Sequence, residues 1–191
     1  MALEAEIQAA VRRGVIIVFS AGNGHYSFPG QMPDVISAGG VFVDQRGALQ
    51  ASDYASAFAS SIYSGRSVPD VCGLVGLLPH GNYLALPVPA GCRLDTEGLA
   101  YDGTPPNDGW GVFSGTSAAA PQLAGLCALL LQADATLSPS DVKAILRRTA
   151  RDVATGHANL PPPAPCSSMR WRRSVRRAER GDPLVSHRAG L

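Results

Sequence analysis

Apolar residues return at Leu3, Ile7, Ala10 and Val11, the i, i+4, i+7, i+8 spacing of one helical stripe. Arg12 and Arg13 close that stripe in front of Gly14, so the predicted helix ends on basic residues and a C-terminal glycine. Val15-Ile16-Ile17-Val18-Phe19 follows as an unbroken β-branched and aromatic run. A run apolar on both faces predicts a strand of a parallel sheet with helices above and below. Helix, short loop and buried strand make the second half of a βαβ unit. The expected fold class is therefore α/β, a partial doubly wound parallel sheet that opens in mid-fold, truncated at its N-terminus.

A second strand is predicted over Asp34–Gly39, with Val41–Val43 continuing it past a glycine pair. Residues 47 to 65, rich in Ala and Ser, read as a weaker strand or a loop, and Val68–Val71 precedes a long irregular region. From Gly73 to Asp108 the chain is full of Gly, Pro and Asn, and this length without a pattern predicts a functional loop or an insertion. Thr116 to Ala133 is helical and almost wholly apolar after Pro121, which predicts a buried helix. Ser138-Pro139-Ser140-Asp141 then combines an N-cap serine, a proline at the first helical position and an acid three residues on. The helix it starts is expected to run through Val142, Ile145 and Leu146 to about Ala150.

After Leu160 the composition changes. Residues 1–160 carry 9 Lys/Arg against 13 Asp/Glu, whereas residues 161–191 carry 7 against 2, with a proline run and six arginines between Arg170 and Arg180. So few aliphatic residues cannot offset the entropy of ordering, and the division expected is a domain over 1–160 and a disordered Pro/Arg-rich tail over 161–191. The arginines, with Trp171 among them, can hold phosphates. The tail lacks Lys and the chain lacks any folded nucleic-acid motif, so no nucleic-acid partner is expected.

No apolar run reaches the ~18 residues of a membrane span, and the first residues lack the order of a secretory leader, so the compartment is left open. Four cysteines show no CxxC and no histidine at zinc spacing. Cys127 reads as a small core residue. Cys72 and Cys92 flank the long loop and are a candidate disulfide if the protein is exported.

Two segments carry candidate chemistry. Ser20-Ala21-Gly22-Asn23-Gly24 directly follows the first strand, and in open α/β sheets ligands bind outside the carboxyl ends of strands. Asn23 either points an amide donor into that crevice or makes a simple turn. Ser114-Gly115-Thr116-Ser117-Ala118-Ala119-Ala120-Pro121 opens the apolar helix. A serine there sits beside unsatisfied N–H groups and the positive end of the dipole, which stabilise a developing oxyanion. Alternatively Ser117 or Thr116 only caps the helix.

GTSAAAP before an apolar helix resembles the nucleophile motif of the subtilases, the subtilisin-like serine proteases. SAGN after a buried strand resembles their oxyanion segment, and VPDV at Val68–Val71 is similar to the strand before their long loop. The resemblance spans Leu3 to about Leu160. It implies a fold of the subtilisin type and serine endopeptidase chemistry through an acyl-enzyme on Ser117. Asn23 takes the place of the oxyanion-hole donor, and Ser20, Ala21 and Gly22 one wall of the pocket for the side chain before the scissile bond. Sedolisins share a related motif but carry an acid where Asn23 stands, and alanines after Ser117 exclude a GxSxG elbow.

The departures matter equally. Family triads run Asp, His, Ser along the chain, yet only 22 residues precede Asn23, with no His, and with Glu4 and Glu6 on the opening helix as their acids. His25, His80, His157 and His187 all follow Asn23 and read as loop or tail residues. Gln122 stands where the family commonly has His, a local variation. The resemblance therefore implies a polypeptide substrate, a partner such as the missing N-terminal segment of the domain, and a chain inactive alone for want of a general base. A non-catalytic peptide-binding module or an inactive gene fragment is the alternative. No cofactor is needed for the chemistry. Structural calcium is common in the family, and Asp95, Glu97, Asp102 and Asp108 offer carboxylates in the long loop, without EF-hand spacing.

Overall fold

The computed structural model describes residues 2–77, 84–97, 105–153 and 167–169. Its elements, in chain order, are α1 (Ala2–Arg12), β1 (Val18–Ser20), β2 (Ile36–Val43), β3 (Leu49–Ala51), β4 (Phe58–Ala59), β5 (Ser67–Val68), β6 (Val71–Leu74), β7 (Leu84–Pro87), α2 (Arg93–Glu97), β8 (Trp110–Phe113), α3 (Thr116–Ala133), α4 (Pro139–Thr149), β9 (Ala150–Asp152) and β10 (Ser167–Met169). The main sheet runs β1-β2-β6-β10-β9, with β3 hairpinned onto β2. β1, β2, β6 and β10 are parallel, and β3 and β9 antiparallel to their neighbours.

The uniform apolar run before Ser20 is explained by where its side chains go. Ile16 and Val18 pack on the face covered by α3 and α4, with Ile36, Val71, Leu123, Leu126, Val142 and Leu146. Ile17 and Phe19 pack on the other face, with Ile7 of α1, Met32 and Val35. Helices thus lie on both faces, as in a doubly wound sheet. β1 is only half-buried along its length, with β2 as its one sheet neighbour among the described residues.

The strand predicted from Asp34 and continuing past the glycine pair to Val43 is β2, which starts at Ile36. β2 passes through Gly39 and Gly40 because other parts of the chain occupy the space their side chains would take. A Cβ on Gly39 would lie 2.5 Å from Pro69 Cγ and 2.7 Å from Cys72 Sγ, and one on Gly40 3.0 Å from Val75. Conversely, the strand expected over Val68–Val71 is divided at Pro69-Asp70. Pro69 has no N–H to pair, β5 turns to join β4, and β6 starts at Val71 beside β2. The long stretch after Gly73 is not unstructured: β7 pairs with β8 antiparallel and α2 lies between them.

Two helices match their predicted limits. α4 carries the full capping box, with Asp141 N–H donating to the Ser138 hydroxyl and Ser138 N–H donating to the Asp141 carboxylate. α3 spans Thr116–Ala133 but is not buried all round. Thr116, Ala119, Leu123, Leu126 and Cys127 face the sheet, while Pro121, Ala124, Gly125, Ala128 and Leu129 are exposed. Its 18 residues, at mean hydropathy 1.2, have the length and apolar character of a membrane span, yet one side of it is the core of this domain. Small side chains let it lie close on the sheet, since a Cβ on Gly73 of β6 would come within 3.0 Å of Ala119.

Cys72 is disulfide-bonded, whereas Cys92 and Cys127 are free thiols. The Cys72–Cys92 pair is therefore not formed; Cys92 sits beyond the β7 ribbon, next to α2. Burial pushes the Cys127 thiol up to about 11, in keeping with an inert core residue. In the expected tail, Ser167–Met169 depart from irregular chain by forming β10, which pairs with Cys72 of β6 and with β9. Backbone pairing there needs no apolar side chains, which composition alone does not register. The rest of 161–191 lies outside the described residues.

α1 is tied to the β4–β5 ribbon by Tyr63, whose hydroxyl donates to Glu4 Oε1 at 2.7 Å. Burial and the hydrogen bond to Glu4 push this phenol up to about 12. Between pH ~10, the ordinary value, and about 12 the unfolded chain has released this proton while the folded chain holds it. Stability from this group is thus present below pH ~10 and is lost as pH rises to about 12. The fall in melting temperature over that window should be smaller in Tyr63→Phe than in the parent, as read by circular dichroism.

Candidate active site

Asn23 and the turn before α3 meet at the carboxyl end of β1. Thr116 donates twice to Asn23 Oδ1, from its backbone N–H at 3.0 Å and from its hydroxyl at 3.0 Å. Gly22 N–H in turn donates to Thr116 Oγ1 at 3.2 Å. The helix cap is therefore neither Ser117 nor Thr116. Gly115 is the N-cap residue, without a side-chain cap of its own, and the acceptor for the first helical N–H comes from Asn23, 93 residues away. With Oδ1 engaged by two donors, the Nδ2 end of the amide is left as a donor.

Gly115 is required at this point for two reasons. Its φ of 108° is a conformation L side chains rarely adopt, and a Cβ there would sit 3.1 Å from Asn23 Nδ2. Ser117 follows as the second residue of α3, exposed, one residue beyond the fully buried Thr116. Consecutive Cα atoms are about 3.8 Å apart. The Ser117 backbone thus lies one residue from the group gripping Asn23, at the positive end of an 18-residue helix. Pro121 lacks the N–H that would pair with the Ser117 carbonyl.

The wall residues are anchored from behind. Ala21 is fully buried with Phe58 and Val68, and its N–H donates to Ala38 O at 2.8 Å. Gly22 O accepts from Ser56 N–H at 2.9 Å, and a Cβ on Gly22 would strike His25 O at 2.8 Å. Ser20 O is approached by Gly30, where a Cβ would fall at 2.7 Å. Asn23 forms an isolated antiparallel bridge with Ala55. Residues 20 to 23 are thus held in place from behind, with Gly22 at a positive φ of 111°.

Three features had no signal in the motifs. Tyr54 and Ser56 come from the stretch read only as weak strand or loop. Gln122, taken as a local variation, clamps α3 to β6: its Nε2 donates to Leu74 O and Ala118 O, both at 2.8 Å, and its Oε1 accepts from Leu74 N–H at 3.1 Å. Asp70, quoted only as part of a strand, accepts from Ser37 N–H at 2.8 Å and from Arg66 Nη2 at 2.7 Å, with Lys143 Nζ at 3.3 Å. Burial pushes the Lys143 ammonium down, opposed by the Asp70 carboxylate.

His25 is exposed, with Nδ1 3.3 Å from Asn23 O, so it leans on the loop's own backbone. His80, His157 and His187 lie outside the described residues, as does Asp102. Of the loop carboxylates, Asp95 Oδ2 accepts from Gly91 N–H at 2.6 Å and Asp108 Oδ1 from Trp110 N–H at 3.0 Å. Among the described residues no three His, Cys, Asp or Glu side chains gather where a metal ion would sit.

Fold and junction define an α/β domain in which the carboxyl end of the first strand joins an amide side chain to a serine-bearing helix N-terminus. Residues 2–190 match the subtilase family, and the chain belongs to that family. An extracellular serine protease of Serratia marcescens is 29% identical over 154 residues, a match covering 75% of this chain and 14% of that protein. Among solved structures, fervidolysin from Fervidobacterium pennivorans, a keratinolytic enzyme related to subtilisin, superposes with a TM-score of 0.65 at 22% identity, covering 91% of this chain and 24% of its own. Sphericase superposes at 0.57 and 21% identity, covering 86% of this chain and 50% of its own. The chain thus spans about one seventh of the curated relative it matches and half or less of these two solved chains.

Proposed function

We propose that this chain carries the nucleophile half of a serine endopeptidase, acting on polypeptides through an acyl-enzyme on Ser117. The observation that carries the reading is the double hydrogen bond from Thr116 to Asn23 Oδ1, which orients the amide so that Nδ2 remains a donor beside the serine-bearing turn. In this reading Ser117 Oγ attacks the scissile carbonyl. Asn23 Nδ2 donates to the oxygen as it becomes an oxyanion, where such a donor is worth most. Ser20, Ala21 and Gly22 lie alongside the residue before the scissile bond.

A free serine hydroxyl is a poor nucleophile, and an imidazole must take its proton. His25 is turned to the backbone of its own loop. We assign the base and its carboxylate partner to a polypeptide segment of the subtilase domain other than residues 1–191, meeting the half-buried β1 and the exposed, uncharged side of α3. The disulfide at Cys72 suits an oxidising compartment. The test is hydrolysis of a fluorogenic peptide by the purified chain, alone and mixed with the N-terminal half of a related subtilase domain. No turnover alone, turnover on mixing and its loss in Ser117→Ala support the reading. Turnover by the chain alone that His25→Ala abolishes overturns the assignment of the base. Peptide binding without turnover in the mixture identifies a non-catalytic module instead.

A further inference from the structure

Tyr54 lies between β3 and β4, in a stretch without a recognisable motif. Its ring packs against the core between the sheet and the α3–α4 layer. Its hydroxyl is engaged twice, accepting from Gly115 N–H at 2.7 Å and donating to Gly76 O at 2.9 Å. Gly76 is a buried residue just beyond β6, and Gly115 the buried N-cap of α3, two residues before Ser117. The neighbouring residues hold the segment 22–25. Ala55 bridges the Asn23 backbone, Ser56 N–H donates to Gly22 O at 2.9 Å, and Ser56 Oγ accepts from His25 N–H at 3.0 Å and donates to His25 O at 2.8 Å.

We propose that residues 54–56 form a splint setting the nucleophile turn against the oxyanion segment, with Tyr54 as its positioning residue. The inference rests on the reading of Ser117 as nucleophile and adds a role to a side chain that need not touch substrate. The physical reason is that the Gly115 N–H is a buried donor at a helix N-terminus, with no partner inside the helix. The phenol supplies the acceptor from a residue whose neighbours already fix Gly22 and Asn23. One short segment therefore fixes both halves of the site in a single frame. Gly115, at a φ of 108°, otherwise has the freedom of glycine to swing the helix start away.

Tyr54→Phe keeps the ring in the core and deletes only the hydroxyl. In the full chain, amide hydrogen exchange at Gly115 and Thr116 should rise roughly tenfold beyond any rise at β2 and β6 amides, and the melting temperature should fall modestly because two buried groups lose their partner. In the mixture with the complementing subtilase segment, kcat should fall roughly 10–100-fold with KM little changed, since misplacement of reacting groups acts on the transition state. Unchanged exchange at Gly115, or a rise there no larger than that of the β2 and β6 amides, overturns the splint. The exchange experiment needs no catalysis, so it judges the splint even if Ser117→Ala retains hydrolysis, the separate result that sinks Ser117 as nucleophile.

Discussion

In the complemented enzyme, Asn23→Ala should lower turnover by roughly 10²–10³, the cost recorded for removing the corresponding donor in subtilisin itself. The side chain has two ends and the two can be separated. Oδ1 accepts from both donors of Thr116 and caps α3, while Nδ2 is the donor assigned to the oxyanion. Asn23→Ala removes both and should also cost about 1 kcal/mol of stability, the usual worth of a helix cap. Asn23→Asp keeps the acceptor and removes the donor. It should match the alanine variant in lost turnover but not in lost stability, as read by peptide hydrolysis and urea unfolding. Full turnover in Asn23→Asp would remove Asn23 from the chemistry.

The second large effect is structural. Among the described residues, Asp70 is the carboxylate that both Arg66 and Lys143 contact, and their side chains are only 9% and 16% exposed. It joins the start of β6 to Ser37 of β2, to the β4–β5 ribbon through Arg66, and to α4 through Lys143. Asp70→Ala leaves two cations in a desolvated place without their counter-charge, and should cost about 3–5 kcal/mol in urea unfolding. Adding Lys143→Met should recover part of the loss, because one stranded charge is gone. A loss below about 1 kcal/mol, the size of an exposed ion pair, would show that solvent reaches the cluster.

The elements legible in the sequence are those whose signal is local. The capping box at Ser138–Asp141 and the apolar span of Thr116–Ala133 needed no distant partner to be read. β2 was legible along its length, but the reason for Gly39-Gly40 within it lies in Pro69, Cys72 and Val75, remote in the chain. The limits of VPDV failed for a similar cause, since Asp70 faces Ser37, Arg66 and Lys143 rather than a strand neighbour. β7, α2 and β10 carry weak apolar periodicity, and their order comes from backbone pairing or packing with other elements.

The candidate site divides along the same line. Asn23, Ser117 and the Ser20–Gly22 wall stood out by motif and order, and the fold brings the two segments into contact. The groups that hold them there were silent. The sequence offers Thr116 only as a cap and Gln122 only as a local variation, and gives Tyr54 and Ser56 no functional signal. Each acts through hydrogen bonds to residues between 4 and 94 positions away, which spacing along the chain does not encode.

The reading stands most directly on whether Ser117 and Asn23 act on one carbonyl. A crystal structure of the complemented enzyme with a peptide boronic acid would measure it. The expected result is a tetrahedral adduct on Ser117 Oγ with one boronate oxygen about 2.7–3.1 Å from Asn23 Nδ2. An adduct on a different side chain, or one whose oxygens all lie beyond hydrogen-bonding reach of Asn23, would contradict it.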